Sequence, residues 1–154
     1  MDWNMLSAIS TALMALVVIA TAIFAALQLK EISKSRKVDT FMRLFQYMQR
    51  EEIREARRIL HSISGKDYKD WSEKEVEAAE KACHTYDYAG VMASKKLIEK
   101  GLVAKENQDS IIKCWEAAEP MITEYRKKRG KKFWRGFEKL YEEAKKTKTV
   151  EVIN

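Results

Sequence analysis

The chain has 154 residues, with 29 Lys or Arg against 23 Asp or Glu and a net charge of +6 at pH 7. One Pro and five Gly beside 34% charged residues exclude a turn-rich architecture and favour helices throughout, an all-α fold. Neither a repeat nor a low-complexity linker interrupts the chain, so the part outside the first thirty residues suffices for a single small domain.

Residues Met5 to Leu29 carry no charged side chain, and Lys30, Lys34, Arg36 and Lys37 follow at once. As a helix this run spans a bilayer, since about 20 residues at 1.5 Å each cover a hydrocarbon core of roughly 30 Å. A cleaved signal peptide carries a positive n-region and a shorter apolar core, whereas this N-terminus holds Asp2 and no Lys or Arg. The expectation is therefore an uncleaved anchor in the cell membrane, single-pass. Positive residues stay cytoplasmic, so the N-terminus lies outside and the C-terminal domain inside, with Trp3 at the outer headgroup level. Both cysteines, Cys83 and Cys114, then sit in a reducing compartment, where a structural disulfide is not expected. Small residues recur at Ser7, Thr11, Ala15, Ala22 and Ala26, a spacing that lets helices approach closely in lipid, although no GxxxG is present. Homo-oligomerisation through the span or a stalk follows as an expectation. The absence of ionisable residues inside the run argues against a proton relay within it.

Past the anchor, Val38, Phe41, Met42, Phe45 and Met48 form an i, i+3, i+4, i+7 stripe, and nothing before Ser64 breaks a helix. The membrane helix is thus expected to continue as a stalk. Ile53, Ala56, Ile59 and Leu60 make a second stripe ahead of the loop 64–70. Ser72 can cap a helix start, with Glu75 completing a capping box and Trp71 packing on Val76. That helix is expected to run to about Lys100 and stop at Gly101. The next carries Ile111, Trp115, Ala118, Ile122 and Tyr125 on one face, kinks at Pro120 and ends at Gly130. A last helix places Phe133, Trp134, Phe137, Leu140, Tyr141 and Ala144 together. All these stripes are read first as core. The organisation expected is a transmembrane anchor over 1–29, a basic juxtamembrane stalk and helix over 30–63, and a small cytoplasmic helical bundle over 64–154.

No residue set announces chemistry. Cys83, His84 and Asp87 fall within about one turn, and His61 and Cys114 are the other soft ligands. A zinc site needs paired Cys or His ligands, and no second pair exists. Adjacent helical residues point about 100° apart, which spoils Cys83–His84 as a nucleophile and base. Glycine-rich phosphate loops, GxSxG and HExxH are also missing. No catalytic residue, metal ligand or cofactor is expected.

Charge supplies the strongest signal in the bundle. Between Arg126 and Lys148 lie eleven Lys or Arg against three acids, a net of +8 in a chain of +6, so the remainder nets −2. The candidate site for anionic lipid or another anionic ligand, such as a nucleotide, is Arg126, Lys127, Lys128, Arg129, Lys131, Lys132 and Arg135. A solvated helix face, lipid attraction and nucleic-acid or nucleotide binding are all compatible with it.

Several short elements carry a family likeness: Tyr86-Asp87-Tyr88-Ala89-Gly90, the segment Lys96 to Val103, Trp115, Ile122 with Arg126 before Gly130, and Trp134-Arg135-Gly136-Phe137-Glu138-Lys139-Leu140. With the N-terminal anchor and basic stalk, the chain resembles the uncharacterised prokaryotic single-pass membrane proteins of domain-of-unknown-function family 4760. One departure is Asp87, where the resemblance leads one to expect Glu. The resemblance implies a helical cytoplasmic domain on one span and no catalytic residue or substrate. Asp87, Arg126 and Glu138 lie on or beside apolar stripes, where an unpaired ion costs several kcal/mol. Arg126 is expected to pair with Asp87 or Glu138 and pin its helix.

The function expected is a non-enzymatic, membrane-anchored interaction module that binds a protein partner which the sequence does not name. The alternatives are an oligomeric membrane effector of a prokaryotic defence system that senses an anionic ligand, or a subunit of a larger membrane complex.

Overall fold

Helix α1 runs from Trp3 to Met48, and its apolar first half explains its exposure: the most apolar 18-residue window has a mean hydropathy of 2.4 and none of it is buried. The structure, a computed structural model, describes the backbone of residues 2–153 and the side chains of residues 2–147. Among the described residues one helix is thus long and apolar enough to cross a membrane. The chain divides into two compact units between Lys37 and Val38. The last turns of α1 and the residues up to 63 therefore belong with the bundle rather than to a separate segment.

Within the second unit α1 buries Leu44 and Met48 and half-buries Phe41 and Phe45. Val38 and Met42, assigned to the stripe from periodicity, are exposed; the inward face is rotated by about one position. The helix does not continue to Ser64 either. It breaks at Gln49–Arg50, where Arg50 is extended (φ −57°, ψ 142°), and α2 (Glu51–Ser62) begins. Arg57 Nη1 donates to the Met48 carbonyl at 2.9 Å, satisfying a terminal acceptor that the helix abandons. The break leaves Met48 and Ile53 both buried, each 1% exposed. The outer face of α2 is an internally paired set: Glu51 with Arg54 and Arg58, and Glu55 with Arg58.

A 3₁₀ turn (Tyr68–Asp70) leads into α3 (Glu73–Ser94). Its start is the capping box read from the sequence: the Ser72 hydroxyl accepts from the Glu75 amide at 3.4 Å, and Glu75 Oε2 accepts from the Ser72 amide at 2.6 Å. Lys66 Nζ donates to both Glu75 oxygens at 3.0 and 2.8 Å. This helix stops earlier than expected, at Ser94 rather than Lys100. The Lys96 amide donates to the Ala93 carbonyl and the Leu97 amide to Met92, with Lys96 left-handed at φ 60°. That is a Schellman end made with Lys where Gly is usual, so the sequence carried no stop signal. Gly101 (φ 80°) then precedes a short helix, α4 (Leu102–Glu106).

Helix α5 (Gln108–Arg129) passes through Pro120 unbroken and ends at Gly130. Helix α6 (Arg135–Ile153) starts later than expected, with Phe133 and Trp134 in the turn before it. The described residues form no strand. The core runs between α3, α5 and α6, with Tyr86 stacked on Phe137 (centroids 5.1 Å) and Trp115 edge-on to Phe137 (5.0 Å).

The closest crossing is α3 on α6. Gly90 and Gly136 meet backbone to backbone: a Cβ at Gly90 would overlap the Gly136 carbonyl, and one at Gly136 would lie 2.5 Å from the Asp87 carbonyl oxygen. Gly90→Ala or Gly136→Ala should each destabilise the protein by about 3 kcal/mol or more, because two backbones must separate; a chemical-unfolding midpoint within error of wild type would refute the contact. The Glu75 carboxyl is held down at about 2, chiefly by the Lys66 ammonium and then by the Ser72 amide, against an ordinary 4.5. Its contribution to stability is therefore complete above pH 4.5 and lost as pH falls towards 2. Glu75→Gln should flatten that part of a pH-stability profile, and Ser72→Ala should cost about 1 kcal/mol at neutral pH.

Candidate functional site

The α5–α6 turn gathers the cations that the sequence singled out, and the structure divides them into two groups. Arg126 is committed: Nε donates to the Phe133 carbonyl at 3.0 Å, Nη1 and Nη2 donate to Glu138 at 2.9 and 3.2 Å, and the guanidinium lies 5.6 Å from the Trp115 ring centroid. With Arg126 20% and Glu138 34% exposed, this is a half-buried bidentate clamp rather than part of a free anion site. Lys127 pairs with Glu124 at 2.6 Å, and Arg129 lies over the Tyr125 and Phe133 rings. Lys128, Lys131, Lys132 and Arg135 are exposed, and among the described residues none of them has an ion-pair partner.

Asp87 does not pair with Arg126. Its Oδ1 accepts from the Gly136 amide at 2.7 Å and from the Phe137 amide at 3.2 Å, capping α6 from a neighbouring helix. These two donors are orphans of the first turn, and a carboxylate there also meets the positive end of the helix dipole. The Arg135 amide donates to the Lys132 carbonyl and the Glu138 amide to Trp134, so the whole first turn is satisfied. Trp134 is left-handed (φ 54°), 3% exposed, and its indole donates to His84 Nδ1 at 3.3 Å. Sequence reasoning missed this pair and the Gly90–Gly136 crossing. A signal for the second existed: of five glycines, only these two lie within regular helix, where each costs about 1 kcal/mol relative to Ala.

Beside this cap lies an open groove of about 510 Å³ lined by Tyr47, His84, Thr85, Asp87, Tyr88 and Val91. A second, of about 400 Å³, lies against Tyr68 and Pro120. In the first, His84 is tied to Trp134 and Asp87 to two amides, and the Thr85 hydroxyl donates to the Lys81 carbonyl at 2.8 Å.

Of the soft ligands, Cys83 and Cys114 are buried, His61 is half-buried and His84 is exposed. His61 Nε2 lies 3.2 Å from Cys114 Sγ, and the Tyr86 hydroxyl donates to Ser110 Oγ at 2.8 Å. Burial pushes the Cys114 thiol up to about 12, lifts Cys83 well above its usual range, and raises Tyr86. Burial, then Lys113 and Arg57, lowers His61. Tyr125 rises to about 12 because its hydroxyl donates to Glu80. Among the described residues no group of three His, Cys, Asp or Glu is placed to hold a metal.

Residues 15–144 match a family described as Domain of unknown function (DUF4760). No curated protein and no solved structure matches the chain.

Two outcomes test the geometry. Asp87→Ala should cost about 2 kcal/mol and Asp87→Asn less, since the amide keeps an acceptor oxygen and loses only the charge; equal losses would mean the carboxylate charge is idle. Both cysteines should resist a thiol reagent at pH 8 in the native protein and react at once in denaturant.

Proposed function

The chain belongs to the DUF4760 family, whose description carries no activity, and we propose that it acts as a non-enzymatic, membrane-anchored helical interaction module that self-associates. The observation that carries this reading is the exposure of the apolar half of α1: Met5, Leu13, Met14, Val17, Phe24 and Leu27 are each more than half exposed. Water penalises such a surface by about 25 cal/mol per Å², whereas lipid does not. The reading places the helix across a cell membrane with Lys30, Lys34, Arg36 and Lys37, and the bundle, on the cytoplasmic side. The small-residue row from Ser7 to Ala26 supports close helix pairing in lipid.

The bundle is read as a binding domain, and the groups that its sequence offered for chemistry support this, since they are engaged in structure. Asp87 caps, Arg126 clamps, His84 accepts from Trp134, and both thiols are buried and protonated. One further reading, with which the exposed cations of the α5–α6 turn are compatible, is an oligomeric effector of prokaryotic defence whose bundle senses an anion such as a nucleotide.

Carbonate-washed membranes should retain the full-length protein, and detergent-solubilised material should sediment as an oligomer. Recovery in the carbonate supernatant would end the anchor reading, and a monomer in several mild detergents would end self-association. Nucleotide at 100 times its dissociation constant should stabilise an effector by about 2.7 kcal/mol and leave a plain interaction module unmoved.

A further inference from the structure

Of the seven basic residues between Arg126 and Arg135, the fold occupies three and leaves four. The clamp of Arg126 on Phe133 and Glu138, and the cap of Asp87 on Gly136 and Phe137, hold the turn from both ends. Gly130 (φ 96°) and Trp134 (φ 54°) fix its path, with Trp134 buried beneath it. Lys128, Lys131, Lys132 and Arg135 are thereby displayed at exposed positions on a short connection; Lys128 lies in the field of Glu124, which Lys127 already pairs, and among the described residues no ion pair joins any of the four to an acid.

We infer that this turn is a contact for the phosphate and carboxylate groups of an anionic lipid surface, resting on the anchor reading above. Three observations favour a surface over a soluble nucleotide. None of the four cations lines either of the two grooves described above. The aromatic rings nearest them are already used: Phe133 stacks on Tyr125 (5.9 Å) under Arg129, and Trp134 is buried, so no free ring is offered to a base. The α6 amides that would receive a single phosphate are taken by Asp87. What is left is exposed point charge, which suits many weak contacts to a charged plane. Each basic residue at such a surface favours contact by roughly fivefold, and a tethered domain meets that surface at high effective concentration.

The test uses the full chain in nanodiscs, either of phosphatidylcholine alone or with about one third phosphatidylserine, followed by hydrogen exchange. The amides of residues 127–133 should exchange several-fold more slowly with phosphatidylserine present, and 0.5 M NaCl should abolish the difference. K128Q/K131Q/K132Q/R135Q, all at exposed positions, should abolish it at low salt with an unchanged unfolding midpoint. Equal exchange in the two nanodiscs, persistence of the difference at high salt, or its persistence in the variant overturns the proposal. ATP slowing the turn equally in phosphatidylcholine nanodiscs assigns the cations to a soluble phosphate and overturns it too. Because the protein is already inserted in every arm, these failures are distinct from failure of the anchor reading, which shows as release by carbonate.

Discussion

The bundle is organised by one backbone contact, the passage of α3 over the start of α6 at Gly90 and Gly136. Two helices normally pack 8–10 Å apart because their side chains intervene; with no Cβ on either side, main chain meets main chain. That proximity is what allows a carboxylate as short as that of Asp87 to reach the Gly136 and Phe137 amides directly. An Asp in place of a longer Glu is the side chain that such a narrow gap admits. The cap and the crossing support each other, since the glycines bring the helices together and the carboxylate fixes where along α3 the sixth helix begins.

From that fixed point the rest of the basic turn follows. A helix held by its first turn needs its incoming chain turned sharply, and Trp134 supplies the turn in a left-handed conformation that costs an L residue about 1–2 kcal/mol. The indole offsets this by burial and by its hydrogen bond to His84. Arg126, one turn before the end of α5, takes the Phe133 carbonyl that the turn exposes and Glu138 from the first turn of α6. Its desolvation is tolerable because all three guanidinium nitrogens donate and the Trp115 face lies beside it.

How legible was this in the residues? The apolar run, the capping box at Ser72 and the core positions Phe137, Leu140 and Ala144 were readable because each is a local pattern that local physics creates. The failures share a different cause. Lys96 ends α3 in a conformation favoured by Gly, and Arg50 breaks α1 without any breaking residue, so propensity announces neither end. Val38 and Met42 fit a helical period that the bundle meets one position further round, at Leu44. In the candidate site, the pairing of Arg126 with Glu138 followed from the cost of a lone ion among apolar residues. Capping by Asp87 did not, because its partners are backbone amides that carry no signature in sequence. The same blindness hid which lysines were spoken for, since Lys127 and Arg129 differ from Lys128 and Lys131 only in what stands beside them.

The distribution of unpaired charge is therefore a product of the fold rather than of composition. On α2, Arg54 and Arg58 are answered by Glu51 and Glu55 within one or two turns, pairs worth at most about 1 kcal/mol each that serve mainly to leave a neutral face. The α5–α6 turn carries the same kind of residue without the answering acids. Its nearby carboxylates are already engaged: Glu138 by Arg126, Glu124 by Lys127 and Asp87 by two backbone amides. Repulsion among the remaining four is damped over a Debye length of about 8 Å at physiological salt, so solvent tolerates them at small cost. On the lipid-contact proposal, counterions held loosely by these four are released when a polyanionic surface takes their place. A helix face that neutralises itself has no such reserve, and this difference, visible only once the side chains are placed, is what the proposal rests on.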